Sequence, residues 1–185
     1  DCTKVLVAFG GTDPRELTRH VIGSIVKLSE LASKISLTVV VGPGNPNLKV
    51  IEKMVADISG EFKSTSVQHE VRRMSDLMRE ADIAITSNGR TVFELAACRT
   101  PMIVICQNER ETTHTFTREC GAAIDLGFSE IFPENEFTKA FSSMAHDEKL
   151  REKMVMRLHE FELENGTKRV LNEISNRYRK KRVDA

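Results

Sequence analysis

The chain has 185 residues, 40% hydrophobic and 29% charged, a length and composition that predict one soluble α/β domain. Its 27 basic and 27 acidic side chains cancel, so net charge gives no case for a nucleic acid partner. No apolar run approaches the roughly 18 residues that a bilayer span needs, so no membrane span is expected. The four cysteines, Cys2, Cys98, Cys106 and Cys120, show neither CxxC nor zinc-like spacing, which favours free thiols in a reducing cytoplasm.

Short apolar runs alternate with segments of helical periodicity. Strands are expected at residues 4–9, 35–41, 65–69, 82–86, 101–106 and 122–126. Helices are expected at residues 14–31, 48–58, 74–81, 91–97 and 112–119, and the pattern is helical from Glu134 onward. This alternation predicts a doubly wound, Rossmann-like parallel sheet of about six strands. Such sheets bind ligands at the carboxyl ends of their strands, so the loops there form the candidate site.

The loop after the first strand reads Gly10-Gly11-Thr12-Asp13-Pro14. The glycines permit positive φ and close backbone approach. Asp13 or Thr12 can cap the next helix, and Pro14 suits its first position. The loop is either an ordinary capped turn or a phosphate site, in which the helix N-terminus and the backbone of Gly11 and Thr12 face the anion. We assign Asp13 to capping.

The loop after the fourth strand, Thr86-Ser87-Asn88-Gly89-Arg90-Thr91, also leads into a helix. Arg90 beside the helix N-terminus could engage phosphate oxygens in a forked geometry. Glu94 follows Thr91 by three residues, which is the spacing of a capping box. The alternative is that the Glu94 carboxylate accepts hydrogen bonds from the two hydroxyls of a ribose. Two such loops at neighbouring strand ends could converge on one diphosphate.

The loop after the fifth strand is polar and begins with Gln107 and Asn108. These amides suggest recognition of sugar hydroxyls, whereas the alternative is a solvated loop with Thr112 or Thr113 as a helix cap. His114 is either a surface histidine or a ligand-contacting or acid–base group.

Several familiar sites are absent from the sequence. A dinucleotide-binding G-x-G-x-x-G is missing from the first loop, and no acid ends the second strand, so NAD is not expected. There is neither a Walker A lysine nor a G-x-S-x-G elbow. We expect no cofactor and no metal.

A resemblance to the C-terminal domain of GT-B sugar enzymes is carried by four segments: FGGTDP, ITSNGRTVFELAA, PMIVICQNERETTHTF and CGAAIDLG. The likeness is greatest to the pseudaminic-acid-pathway UDP-sugar hydrolase and the related spore-coat polysaccharide proteins. It is more distant to the peptidoglycan lipid-intermediate N-acetylglucosaminyltransferase. The resemblance covers roughly residues 4–126 and implies a UDP-sugar or related nucleotide sugar as ligand.

The resemblance also implies a role for each motif. The diphosphate would lie against two loops, whose residues here are Gly10, Gly11 and Thr12, and Ser87, Asn88 and Gly89, with Arg90 and Thr91 adjoining. Backbone atoms of Val71 and Arg72 would contact the base. Glu94 matches the ribose-binding glutamate of the family, and Gln107 with Asn108 matches its sugar-binding pair. Arg90 departs from the family, because relatives often have a small residue there.

The resemblance further implies an N-terminal partner domain that carries the catalytic groups. The sequence begins at Asp1, without Met, and almost at once enters a strand, which favours a domain of a longer protein. We expect a nucleotide-sugar-binding domain over residues 1–163 and a basic helical tail over residues 164–185. That tail is either a solvated helix end or a contact for a membrane surface or nucleic acid.

Three functions stay open at this point. The first is the UDP-sugar-binding domain of a hydrolase or glycosyltransferase. The second is a module of a multifunctional protein fused to a CMP-sugar cytidylyltransferase. The third is a non-catalytic, flavodoxin-like regulatory domain that binds no nucleotide. The preference for uridine over cytidine rests on the resemblance alone.

Overall fold

One parallel sheet organises the chain. The computed structural model describes residues 3–183, and side chains for residues 3–178. Within that range the strands are β1 (Thr3–Ala8), β2 (Ile35–Val41), β3 (Ser64–His69), β4 (Ile83–Thr86), β5 (Met102–Val104) and β6 (Ala123–Asp125). All five strand pairs are parallel, in the order β3-β2-β1-β4-β5-β6. The predicted doubly wound, six-stranded, Rossmann-like sheet is therefore confirmed.

Helices connect the strands and cover both faces of the sheet. The α-helices are α1 (Leu17–Val26), α2 (Ser29–Ala32), α3 (Leu48–Asp57), α4 (Met74–Glu80), α5 (Thr91–Ala97), α6 (Phe116–Glu119), α7 (Glu134–His146), α8 (Glu148–His159) and α9 (Gly166–Val183). Short 3-10 segments lie at Ser59–Glu61, Glu109–Thr113 and Leu163–Asn165.

The hydrophobic core is centred on β1. Val5, Leu6 and Val7 are each at most 1% exposed, and Val7 pairs with Val39 on one side and Ile85 on the other. A strand buried on both faces needs apolar residues at every position, which is why it reads as a continuous apolar run.

The first helix begins later than predicted. The prediction was one helix over residues 14–31, but α1 begins at Leu17 and a separate turn, α2, begins at Ser29. Asp13 and Glu16 have left-handed backbone angles (φ 43° and 52°), which a helix does not accommodate. Leu28, with the non-helical angles φ −93° and ψ 59°, interrupts the second half of the predicted helix. Pro14 therefore lies in a turn and not at the first helical position.

The predicted helix over residues 112–119 is confirmed only over its second half, α6 (Phe116–Glu119). A 3-10 segment, Glu109–Thr113, is followed by an extended His114 (φ −82°, ψ 110°), and α6 begins only at Phe116. The cap is Asn108, whose side chain accepts a hydrogen bond from the Glu111 amide, and not Thr112 or Thr113. This break turns His114 back toward the loop after β4.

Between Glu134 and Val183 the chain is mostly helical, as predicted, in the α-helices α7, α8 and α9. Asp147 leaves the helical conformation and caps α8 by accepting a hydrogen bond from the Leu150 amide at 2.9 Å. The predicted domain boundary after residue 163 falls inside the segment Leu163–Asn165, which packs against α5. None of the helices in the described part of the chain is both long and apolar enough to cross a membrane.

Candidate functional site

The predicted site residues lie where the strands end at their carboxyl termini, most of them in loops and Thr91 and Glu94 in the first turn of α5. The loops after β1, β3, β4 and β5 all leave the carboxyl ends of parallel strands. Strand order reverses at β1, which has β2 on one side and β4 on the other. The loops after β1 and β4 therefore flank the topological switch point, where open α/β sheets bind ligands.

The first loop packs against the residues that follow β2 on one side and borders open space on the other. Gly42, which directly follows β2, lies so close to the first loop that a Cβ there would be 2.2 Å from the Gly10 oxygen. The Gly44 amide donates a hydrogen bond to the Gly11 oxygen at 3.0 Å. On the other side, a Cβ added to Gly10 or Gly11 would meet nothing within 4 Å. The left-handed Gly10 (φ 76°) thus turns an exposed backbone toward open space.

Asp13 caps the first helix, as assigned. Its carboxylate accepts hydrogen bonds from the amides of Leu17 and Thr18, both at 2.9 Å, and it is 3% exposed. A negative charge here is favourable because it faces the positive end of the helix dipole. The amides of Leu17 and Thr18 are therefore already hydrogen-bonded within the protein. Within the described part of the chain, the amides of Gly11 and Thr12 have no hydrogen-bond acceptor.

The loops after β4 and β5 are joined through Asn88, whose side chain is fully buried. Its Nδ2 donates to the carbonyl oxygens of Glu111 and His114, each at 3.0 Å. The backbone carbonyl oxygen of Asn88 accepts a hydrogen bond from His114 Nδ1 at 2.6 Å. The Asn88 side chain faces the protein and not the solvent, so it holds the loops after β4 and β5 together.

Glu111 is a central residue that sequence reasoning missed. Its Oε2 accepts hydrogen bonds from the Gln107 amide at 2.8 Å and the Asn88 amide at 3.2 Å. One carboxylate therefore holds the backbone of the loop after β4 and that of the loop after β5. The available signal was the spacing Asn108-x-x-Glu111, which is that of a capping box with asparagine as the cap.

Gln107 joins this pair of loops to the first loop. Its side chain is 7% exposed, and its Nε2 donates to the Asp13 carboxylate at 2.8 Å. That donor is not free for a sugar hydroxyl. The neighbouring Asn108 is exposed, but its Oδ1 accepts from the Glu111 amide at 3.2 Å. The two predicted sugar ligands thus have internal structural partners.

The carboxyl ends of β4 and β5 also hold buried polar atoms without a described partner. They are Thr86 Oγ1, Asn88 Oδ1 and Gln107 Oε1. Nearly all buried polar atoms in proteins are hydrogen-bonded, so such a concentration marks this part of the core as unusual. Burial, reinforced by the charges of Asp125 and Glu111, raises the pKa of the adjoining Cys106 thiol to about 11.

Glu94 and Arg90 lie at the exposed start of α5. No side chain caps this helix, so the capping-box interpretation of Thr91 and Glu94 is wrong. Among the residues that the structure describes, neither the Glu94 nor the Arg90 side chain has a hydrogen-bond or ion-pair partner. Val71 and Arg72 follow the edge strand β3, and Arg72 is exposed. No described hydrogen bond connects these two residues to the other loops.

Comparisons with known proteins agree with this architecture. The family model described as lipid-A-disaccharide synthetase matches residues 2–174. The chain belongs to this family. It is also 28% identical over 152 residues to the spore coat polysaccharide biosynthesis protein SpsG of Bacillus subtilis (strain 168). That match covers 82% of this chain and 43% of SpsG, and it confirms the expected resemblance to spore-coat polysaccharide proteins.

Solved structures show the same fold. MurG of Acinetobacter baumannii superimposes with a TM-score of 0.72 at 17% identity, over 95% of this chain and 52% of MurG. The S. aureus MnaA–UDP co-structure gives a TM-score of 0.61 at 14% identity, over 84% of this chain and 40% of that one. The chain thus has the Rossmann-like fold of a glycosyltransferase-like GT-B domain. It spans about half the length of the relatives that it matches.

Proposed function

We propose that this chain is the nucleotide-sugar-binding half of a GT-B-type enzyme of surface-polysaccharide or nonulosonic acid biosynthesis, and that its ligand is a UDP-sugar. The observation that carries the proposal is the hydrogen-bonded junction of the loops after β1, β4 and β5. Gln107 Nε2 meets Asp13 at 2.8 Å, and Glu111 binds the amides of Gln107 and Asn88. These contacts fix the three loops side by side at the switch point of the sheet.

Two features of this edge suit a diphosphate. The exposed Gly10 and Gly11 backbone borders open space, and the amides of Gly11 and Thr12 have no acceptor in the described structure. Arg90 adds a permanent positive charge, and its guanidinium can bind two phosphate oxygens at once. The first loop would act through its backbone, because Asp13 neutralises the adjoining helix end.

Glu94 suits the ribose of the same nucleotide. Arg90 and Glu94 are four residues apart at the start of α5, so they share one face of the helix. They form no ion pair with each other. The spacing of this cation and this carboxylate supports the proposal that Arg90 binds the phosphate and Glu94 the ribose of one nucleoside diphosphate. Val71 and Arg72 would contact the base through backbone atoms.

The enzyme as a whole is proposed to be UDP-sugar hydrolase-like, with an N-terminal partner domain that supplies the reacting groups. Support comes from the sequence resemblance and from the relative SpsG, whose name places it in polysaccharide biosynthesis. We place the reaction in the cytoplasm, in keeping with free thiols at Cys98, Cys106 and Cys120. Glycosyl transfer is the alternative reaction. Release of UDP from a UDP-sugar by the full-length protein without an acceptor would indicate hydrolysis, whereas dependence on an acceptor would indicate transfer.

Calorimetric titration of the chain with UDP tests the binding proposal. We expect saturable binding of UDP, and a weaker interaction with CMP. Replacing Glu94 by Gln should weaken UDP binding about tenfold or more, because a charged acceptor for two hydroxyls is lost. Glu52→Gln, an exposed glutamate on α3, is the matched control and should leave the affinity unchanged. Absence of binding to UDP, UDP-N-acetylglucosamine and CMP at millimolar concentration would rule the proposal out.

A further inference from the structure

A pocket outside the predicted sugar-binding pair lies next to the loop after β4. Its volume is about 330 Å³. It is lined by Gly89, Arg90, Phe93, His114, Thr115 and Phe116. This volume is at the lower end of the roughly 300–1,000 Å³ typical of small-molecule sites. A larger groove, lined by residues such as Asp82 and Pro101, lies at the amino ends of the strands and so on the opposite edge.

Two phenylalanine rings form one wall of the pocket. The Phe93 ring lies 4.8 Å from the Phe116 ring, centroid to centroid, and Phe116 also packs edge-on against Phe161 at 5.5 Å. The Phe116 ring thus packs between the rings of Phe93 and Phe161. Phe93 remains 45% exposed, so one of its faces is accessible to a ligand. The wall is a rigid apolar surface that faces outward.

The His114 imidazole supplies an oriented polar group. A carbonyl oxygen only accepts hydrogen bonds, so the 2.6 Å contact with the Asn88 oxygen requires the proton on His114 Nδ1. The Nε2 atom of the neutral ring is then an acceptor, and it has no partner in the described structure. Asn88 Nδ2 also binds the His114 carbonyl, so one buried residue fixes both the backbone and the ring.

The three chemical features of the pocket fit one class of ligand. A sugar ring presents a C–H face to an apolar wall and hydroxyl donors to an acceptor, and the sugar of a nucleotide sugar also carries a phosphate, which suits Arg90. The residues expected to bind the sugar are less available, because Gln107 Nε2 is bonded to Asp13 and Asn108 Oδ1 to the Glu111 amide.

We propose that the pocket between Phe93, His114 and Phe116 is the subsite for the sugar of the nucleotide sugar. In this subsite His114 Nε2 accepts a hydrogen bond from a sugar hydroxyl, and Phe93 contacts the C–H face of the ring. Asn88 acts through His114 as a positioning residue. The inference rests on the proposed function, since it places the sugar of a ligand whose diphosphate lies at the adjoining loop.

The test compares the affinity of the chain for UDP with its affinity for UDP-N-acetylglucosamine, UDP-glucose and UDP-galactose by calorimetry. At least one of the UDP-sugars should bind about tenfold more tightly than UDP. His114→Ala and Phe93→Ala should each remove most of that gain and leave the affinity for UDP within about twofold. The matched control is His146→Ala, an exposed histidine whose Nδ1 likewise contacts a carbonyl, that of Ser142, at 2.8 Å.

A second measurement distinguishes contact from a structural effect. The imidazole nitrogen NMR signals of the unaltered chain should show His114 as the Nδ1–H tautomer, and only its Nε2 signal should shift when the UDP-sugar replaces UDP. An unshifted signal overturns the subsite.

Each calorimetric outcome decides between the two proposals. UDP binding with no further gain from any of the UDP-sugars overturns the subsite and leaves the proposed function standing. A gain that survives in both variants but disappears in Asn108→Ala also overturns it, and places the sugar on the loop after β5. No binding of UDP itself overturns the subsite and the proposed function together.

Discussion

The carboxylate of Asp13 accepts a hydrogen bond from Gln107 Nε2 at 2.8 Å, although 94 residues separate the two in the sequence. The same carboxylate also accepts hydrogen bonds from the first two amides of α1, those of Leu17 and Thr18. One buried charge, satisfied by three donors, therefore connects the loop after β1, the helix that follows it and the loop after β5. A buried charge is tolerated when hydrogen bonds compensate it in this way.

Replacing Asp13 by Ala should lower the free energy of unfolding by about 3 kcal/mol, because buried donors on Leu17, Thr18 and Gln107 lose their acceptor. Urea denaturation measures the change. Asp57→Ala, an exposed aspartate at the end of α3, should change stability by no more than about 0.5 kcal/mol. Equal effects of the two substitutions would show that the Asp13 contacts do not stabilise the fold.

Gly42 should be intolerant of any side chain. A Cβ at this position would lie 2.2 Å from the Gly10 oxygen and 2.6 Å from the Gly11 Cα, and backbone atoms cannot move aside as a flexible side chain can. We expect Gly42→Ala to lower the midpoint of thermal unfolding by at least about 10 °C, or to prevent folding, as overpacking costs several kcal/mol. Gly60→Ala is the comparison, since a Cβ there meets nothing within 4 Å. A stable Gly42→Ala variant would contradict the observed packing.

Glu111→Ala should loosen the loops after β4 and β5. The amides of Gln107 and Asn88 would lose their shared acceptor, so stability should fall by about 1–3 kcal/mol. Hydrogen exchange offers a direct measurement, because both amides should lose protection while those of β1 keep theirs. Glu109→Ala changes an exposed glutamate in the same 3-10 segment and should leave both amides protected. Unchanged protection in Glu111→Ala would refute this role.

Cys106 should make the protein less stable in alkali. Burial, with the charges of Asp125 and Glu111, raises the pKa of its thiol from 9.0 to about 11. The unfolded chain therefore loses this proton at lower pH than the folded chain does. The stabilisation is fully present below about pH 9 and is lost as the pH rises toward 11. The free energy of unfolding should fall more steeply over this range in the unaltered protein than in Cys106→Ala, and parallel curves would exclude the effect.

The sequence was informative where burial alone decides structure. The bounds of β2, Ile35–Val41, agree with the prediction because a β-branched run there ends at Gly42. The apolar run at 101–106 forms a shorter strand, Met102–Val104. Ile105 and Cys106 are buried but lie after the strand: the Ile105 amide still donates to the Thr86 oxygen of β4, whereas the Cys106 amide donates to the Gly127 oxygen, outside the sheet. Apolarity therefore predicted the burial of Cys106 but not where its backbone leaves the sheet.

Features that depend on distant partners escaped prediction. The left-handed Asp13 delays α1, and its carboxylate is held by Gln107 from another loop. Glu111 and Asn88 bind each other across 23 residues. Local spacing also misled at Glu94, where a capping-box pattern forms no cap. Local sequence reports helix propensity and caps, whereas the partners of buried polar groups are set by tertiary structure.

The position of β1 in the sheet has a consequence for how the chain is made. Val5 pairs with Leu37 on one edge, but its other partner, Ile83, emerges from the ribosome much later. Until then β1, whose residues Val5–Ala8 are buried in the folded protein, has one edge without a partner, and such edges recruit strands from other chains. Parallel pairing over so long a separation is also slow. Nascent chains that stall before Ile83 should therefore be the aggregation-prone species of this protein, and the β1–β4 ladder should be the step that commits the domain to its native state.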